Sequence, residues 1–269
     1  MNLARVDRKL FVVSEVVGVA AYDFSFELLF HCEHPNRIEG EHLCVLRIGP
    51  IPDYCDQYAK HLQWGLRLVN SPEEHERASE LTAWYAIIAD LTPRTVVFEV
   101  LPDADEIERH FSWPVFIKGS RQTSKHNPDL AVVRDREHYK QVSSRYASDP
   151  ILHWQRPVVR EFVALAPVAG TLANMVQPSM EFRSFWWHGH CVGWGRYWHQ
   201  VAPYGCDDVS AGMAVAALAA QRLQVPFLVI DVAKTREGRW IVIECNDAQE
   251  SGYAAIAPQL LWQAVLAHV

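Results

Sequence analysis

Two apolar runs late in the chain end in oxygen donors. Val225-Pro226-Phe227-Leu228-Val229-Ile230 runs into Asp231, and Trp240-Ile241-Val242-Ile243 runs into Glu244, with Asn246 two residues further on. Residues two apart on a strand share a face, so Glu244 and Asn246 point together. An antiparallel pairing of the two runs through the Glu237-Gly238 turn sets Asp231 opposite them. Two carboxylates and an amide oxygen form a hard donor set, suited to Mg²⁺ carrying phosphate and not to Zn²⁺. The alternative is a hairpin with ordinary polar ends.

Three cations stand where an anion would need them. Lys118 closes the apolar run Pro114-Val115-Phe116-Ile117, a place where a buried charge requires a partner or a phosphate. Lys125 lies in the polar loop Gly119 to Asp129, where a solvated lysine is the simpler reading. Arg183 sits in a β-type run two residues after Glu181, as half of a cross-strand ion pair or as a guanidinium clamp on an anionic group. His31-Cys32-Glu33-His34 lacks a distant partner pair at zinc spacing and reads as loop chemistry.

These side chains need a core behind them, and the composition supplies one. The chain has 269 residues, 49% hydrophobic, with a net charge of -7, which excludes a disordered chain and a generally basic nucleic-acid surface. No apolar run is long enough to span a bilayer, and the charged start does not read as a signal peptide, so no membrane or nucleic-acid partner is expected. Six cysteines without a Cys-x-x-Cys pair read as free thiols of a reducing compartment, giving a cytoplasmic expectation.

Residues 66–70 read as a strand. Ser71 then caps a helix that has Pro72 first and Glu73-Glu74 in its first turn, and that runs through Leu81, Trp84 and Ile88 to Thr92-Pro93. Strands are expected at 96–100, 114–118 and 158–165, a hairpin over 181–198 turning at His188-Gly189, and helices over 210–223 and 257–268. The segment before Arg67 is the least readable. Strand–turn–strand pairs with interspersed helices indicate an α+β, or mixed α/β, protein. Trp186, Trp187, Trp194 and Trp198 all fall in the hairpin, as core or as an aromatic wall of a pocket.

The order of these parts resembles the ATP-grasp ligases, within the clade named for one arginine and two lysines. The parts that carry the resemblance are Asn70-Ser71-Pro72-Glu73, Pro114 to Lys118, Val159-Arg160-Glu161-Phe162-Val163, Glu181-Phe182-Arg183, Phe227 to Ala233, and Ile243-Glu244-Cys245-Asn246. The resemblance implies an ATP-grasp fold, two α+β lobes gripping ATP, with a short pre-ATP-grasp unit over residues 1–92 and the ATP-grasp unit over 93–269. It implies that Lys118 and Lys125 bind phosphate and that Glu161, Phe162 and Val163 form the hinge holding adenine. Glu181 would reach the ribose or a polar substrate group, and Arg183 would lie near the transferred phosphate. Asp231, Glu244 and Asn246 would be the Mg²⁺ ligands. One departure is that the loop 119–129 has a single glycine, Gly119, where many members have a glycine-rich flap. The implied activity is ATP- and Mg²⁺-dependent joining of a carboxylate to an amine through an acyl phosphate, on small molecules, peptides or proteins. The alternative is a nucleotide-binding regulatory or scaffold protein that keeps the cleft without turnover.

Overall fold

Three sheets organise the chain, whose computed structural model describes residues 2–14, 25–47, 49, 53–121, 123 and 128–269. β1 (Asn2–Val6) and β2 (Leu10–Ser14) pair antiparallel across a turn in which Asp7 and Arg8 take positive φ. β3 (Cys32–Glu33) flanks β1, and β4 (His42–Arg47) runs parallel to β2. α1 (Tyr54–Gln63) then crosses over to β5 (Leu66–Leu68), parallel to β4. The least readable segment is thus a five-stranded mixed sheet, in the order β3-β1-β2-β4-β5.

α2 (Pro72–Ser79) starts at a capping box, in which Ser71 and Glu74 each bond the other's backbone N–H. The single helix expected through Ile88 is instead two, α2 and α3 (Leu81–Ile88), separated by Glu80 in an extended conformation. A tertiary contact accounts for the break: the Leu81 N–H donates to the Ser120 carbonyl, and Glu80 pairs with Arg121. Helical spacing of Leu81, Trp84 and Ile88 carries no information about either bond.

The second sheet holds β6 (Thr95–Val97), β7 (Val115–Gly119), β8 (Val132–Val133) and β9 (Pro157–Glu161), in the order β6-β9-β7-β8 and antiparallel throughout. α4 (Ala104–His110) and α6 (Arg136–Tyr146) cover it, burying Ile107, Phe111, Tyr139 and Val142 against Val115, Ile117 and Val159; the short α5 (Pro128–Ala131) leads into β8. β6 is shorter than the expected 96–100 because its pairing on β9 ends at Val97–Val158. The strand expected over 158–165 stops at Glu161. Beyond it the chain changes sheets: the Arg236 N–H donates to the Ala164 carbonyl and the Ala166 N–H to the Lys234 carbonyl.

The third sheet is antiparallel, in the order β11-β10-β12-β13, from β10 (Glu181–Trp187), β11 (His190–Arg196), β12 (Phe227–Lys234) and β13 (Trp240–Asp247). His188 and Gly189 turn the hairpin with φ of 45° and 81°, as a two-residue connection between strands requires. One face packs on α7 (Val209–Leu223), where Ala216, Ala219 and Leu223 meet Phe182, Ile230, Val232 and Val242. The other face is divided. Phe185, Trp187, Phe227 and Val229 are covered by the first sheet and α8 (Pro258–Ala267), and the half bearing Glu181, Arg183, Asp231 and Glu244 carries the charged groups. Among the described residues no helix is long and apolar enough to cross a membrane.

Gly212 shows how closely α7 sits. A Cβ there would lie 2.5 Å from Trp240 Cε3. Alanine normally favours a helix over glycine by about 0.5–1 kcal/mol, but overpacking costs about 1–3 kcal/mol. Gly212→Ala is therefore expected to destabilise the protein by roughly 1–2 kcal/mol in urea denaturation; a stabilised variant would show that the helix shifts freely.

Candidate active site between two sheets

A cavity of about 420 Å³ lies between the second and third sheets. Phe116 and Val132 line it from the second sheet, and Ile241 and Ile243 from the third, giving two apolar walls. Residues Glu161 to Leu165, the segment that crosses between the sheets, line the cavity too. The polar lining includes Lys118, Arg160, Glu181 and Glu244. Apolar walls beside a peptide edge suit a flat heteroaromatic ring, and the charged groups suit phosphate.

An irregularity in β13 delivers Glu244. Asp231 lies opposite Glu244, while the next residue, Val232, lies opposite Val242, so Ile243 is one residue extra. Without that bulge the strand's alternation would turn Glu244 toward α7. With it, Arg183, Asp231 and Glu244 stand side by side on three neighbouring strands. Arg183 grips Asp231 with two bonds, Nε to Oδ1 at 2.8 Å and Nη2 to Oδ2 at 2.7 Å, and its Nη1 donates to the Gly252 carbonyl at 2.9 Å. The guanidinium also lies over the Tyr197 ring. The sequence left Arg183 open between an ion pair and a clamp; its ion-pair partner is Asp231 and not Glu181.

Lys118 reaches across from β7, its Nζ 2.5 Å from Glu244 Oε1. Both groups are buried, Lys118 at 2% exposure and Glu244 at 8%, and Asp231 is sealed completely. Burial by itself disfavours the charge on Arg183, but Asp231 outweighs it and holds the pKa above the ordinary arginine value. Burial pushes Arg160 the other way, down to about 10, against the pull of Glu244, so it too is charged at neutral pH. Cys245, next to Glu244, points into the α7 core, and burial raises its thiol well above the ordinary value, so it supplies no thiolate nucleophile.

Of the expected site residues, the structure brings Lys118, Glu161, Phe162, Val163, Glu181 and Glu244 to one cavity. Arg183 and Asp231 adjoin Glu244 on the same sheet, and Asn246 follows two residues along β13. Lys125 lies outside the described residues. Glu181 Oε2 accepts from Trp198 Nε1 at 3.1 Å, so of the four hairpin tryptophans only Trp198 lines the cavity. Trp186 and Trp187 are core, and Trp194 is 47% exposed on the edge strand. Gly119, the single glycine ahead of the loop after β7, packs closely on Gln155: a Cβ there would lie 2.2 Å from Gln155 Oε1, and the side chain would have to shift.

The donor set can be tested against Mg²⁺. Among the described residues no group of three or more His, Cys, Asp or Glu side chains is placed to hold a metal ion. Both Asp231 oxygens are engaged by Arg183, and Glu244 is neutralised by Lys118. Two compensated carboxylates with an amide beside them fit a cation that arrives with its own phosphate and water ligands, as Mg²⁺ does, and not a resident metal.

Several supporting groups escaped the sequence reading. Arg47 on β4, buried, donates to the carbonyls of Ala248, Gln249 and Ser251, tying the first sheet to the loop whose Gly252 carbonyl holds Arg183. Beside it His75 Nδ1 lies 3.0 Å from Asp247 Oδ2, and its ring stacks on Tyr54 at 3.8 Å. Burial opposes charge on His75, but Asp247, joined by Glu250, outweighs it and raises the pKa. A raised value in the folded state means that the His75 contribution to stability is complete below the unfolded imidazole pKa and fades as pH rises through the folded one. The stability gap between wild type and His75→Gln is thus expected to be largest below about pH 6.5 and to shrink at alkaline pH. A gap independent of pH in urea titrations would refute the charged pair.

Comparison with known proteins identifies the family and the fold. The model that matches is the ATP-grasp domain of family 3 in the clade named for one arginine and two lysines, over residues 69–265. No curated protein matches the chain. Among solved structures it is similar to the D-Ala:D-Ser ligase VanG of Enterococcus faecalis, at 13% identity and a TM-score of 0.58 over 84% of this chain and 73% of that one. It is similar to the RimK-domain ATP-grasp protein of Sphaerobacter thermophilus, at 14% identity and a TM-score of 0.54 over 79% and 75%. It is also similar to the ATP-grasp ligase PsnB, solved with a phosphomimetic variant of its minimal precursor, Mg and ADP, at 12% identity and a TM-score of 0.54 over 89% and 80%. The expected fold is the one observed, and the chain belongs to the ATP-grasp domains, in family 3 of the one-arginine, two-lysine clade.

Proposed function

We propose that the protein is an ATP- and Mg²⁺-dependent carboxylate–amine ligase. The observation that carries the reading is the line Arg183–Asp231–Glu244–Lys118 beside the apolar-walled cavity of about 420 Å³. In this reading residues 1–92 are the pre-ATP-grasp unit and 93–269 the ATP-grasp unit. The base enters between Phe116 and Ile241, and the backbone of Phe162 and Val163, with Glu161, selects adenine. Glu181, oriented by Trp198, meets the ribose or a polar substrate group. Lys118 and Lys125 hold phosphate oxygens. Glu244 and Asn246, backed by Asp231, would hold Mg²⁺, which when bound neutralises charge on the phosphates.

A substrate carboxylate oxygen attacks the γ-phosphorus, and the bond to the bridging oxygen breaks, releasing ADP. An amine nitrogen then attacks the acyl carbon; the bond to the phosphate oxygen breaks, phosphate leaves with the electron pair, and the ammonium proton passes to solvent. Arg183, held rigid by Asp231 and the Gly252 carbonyl, offers its remaining N–H groups to charge developing on the transferred phosphoryl and acyl oxygens. No protein nucleophile takes part. Six free thiols support a reducing, cytoplasmic setting for this chemistry.

The test is a reaction of the chain with ATP, Mg²⁺ and pooled amino acids and peptides, read by mass spectrometry. A product equal to two components less one water, with matching ADP, is expected. A phosphorylated product in place of an amide would make it a phosphotransferase. Nucleotide binding without ADP across the pool would favour a regulatory or scaffold role instead.

A further inference from the structure

The bulge that aims Glu244 is held from outside its own sheet. β13 is an edge strand of its sheet, so among the described residues its outward carbonyls have no ladder partner. The carbonyl of Val242 accepts from Thr92 Oγ1 at 2.8 Å, and that of Ile243, the extra residue, accepts from Arg160 Nη1 at 2.8 Å. Successive carbonyls of a regular strand point to opposite neighbours, yet these two turn to groups bonded to each other, since Arg160 Nη2 donates to Thr92 Oγ1. Arg160 Nε also donates to Thr95 Oγ1 at 3.1 Å. The guanidinium is therefore bound at all three nitrogens and is 4% exposed.

A buried arginine is a costly way to fill space, and a hydrophobic side chain of similar volume would do it at least as well. What an apolar residue lacks is a donor for the Ile243 carbonyl. We propose that Arg160, with Thr92, is the positioning device that locks the β13 bulge and so sets Glu244 in the cavity for a Mg²⁺-nucleotide. Its position supports this: β9 carries Arg160 directly before the hinge residue Glu161. One strand thus supplies the peptide edge for the base and sets the acidic group at the phosphate end. Loss of the clamp releases the extra residue, and a one-residue slip of β13 returns Glu244 to the opposite face. The inference rests on the reading that the cavity takes Mg²⁺-ATP.

The probe is AMPPNP, titrated calorimetrically into the chain with Mg²⁺ and again in EDTA. Removing a residue that orients a metal ligand typically costs about 10–100-fold in affinity. Arg160→Met is expected to reduce the Mg²⁺-dependent tightening of AMPPNP, the ratio of its affinities with Mg²⁺ and in EDTA, by at least about tenfold, and Arg160→Lys is expected to fall between. Thr92→Val, which leaves Arg160 in place, should shift the same ratio in the same direction. It also decides the question if Arg160→Met does not fold. Undiminished Mg²⁺ tightening in Arg160→Met, or in Thr92→Val should it be the only folded variant, would overturn the clamp alone, as would equal losses with and without Mg²⁺. Absence of AMPPNP binding by the wild-type chain under both conditions would overturn the nucleotide reading and the clamp with it.

Discussion

Lys118→Met is expected to destabilise the protein by about 3 kcal/mol, the lower end for a broken buried pair, because the buried Glu244 carboxylate loses its ammonium and keeps the longer-range pull of Arg160 and Arg183. The pair spans two sheets, from β7 to β13, and both side chains are nearly sealed from water, so solvent does not take over the role of the lost partner. Adding Glu244→Gln to the same chain removes the undercompensated charge and should restore most of that loss. Nucleotide binding should not return, since the double variant has neither the proposed phosphate cation nor the proposed acidic ligand. Urea denaturation and AMPPNP calorimetry on the two single variants and the double one separate the effects. Additive stability losses would show that the two groups do not sense each other, and full AMPPNP affinity in the double variant would remove both from the site.

Asp231→Ala should act more strongly on turnover than on nucleotide affinity. Asp231 does not line the cavity but holds Arg183 at two atoms, and its removal leaves a buried guanidinium with the Gly252 carbonyl, the Tyr197 ring and the longer-range pull of Glu244. Removing a preorganised donor from charge that develops in a transition state costs about 10²–10³ in rate, and the broken buried pair costs about 3–5 kcal/mol of stability. ADP release in the presence of acceptor should fall by at least about a hundredfold. Asp231→Asn, which keeps one acceptor oxygen, should lie between. Wild-type turnover by Asp231→Ala would show that Arg183 needs no support and that Asp231 plays no part in the chemistry.

Much of the candidate site was legible because its signals are local. Apolar runs that end in Asp231 and Glu244, a lysine closing a strand and a His188-Gly189 turn each report their own surroundings, and the structure pairs the two runs and turns the hairpin where their spacing implies. Other features depend on partners far away in the chain. The break at Glu80 needs Ser120 and Arg121. The end of β9 at Glu161 needs residues 234 to 236, which capture the chain onto the other sheet. Arg160 appears in the sequence only as a charge inside an apolar strand, and its meaning depends on a carbonyl 83 residues away.

The amino-acid sequence alone determined the α+β class, the oxygen and cation groups available for phosphate chemistry, and the order in which they occur. Composition, alternation and turn chemistry are properties of neighbouring residues, and neighbouring residues can be read directly. Which groups pair was decided only by the tertiary structure. The bulge at Ile243 turned Glu244 to the cavity, Asp231 became the holder of Arg183, and the first sheet's Arg47 gripped the loop behind it. A one-residue shift in register reverses every side chain that follows, and register is set by contacts across the fold and not along the chain.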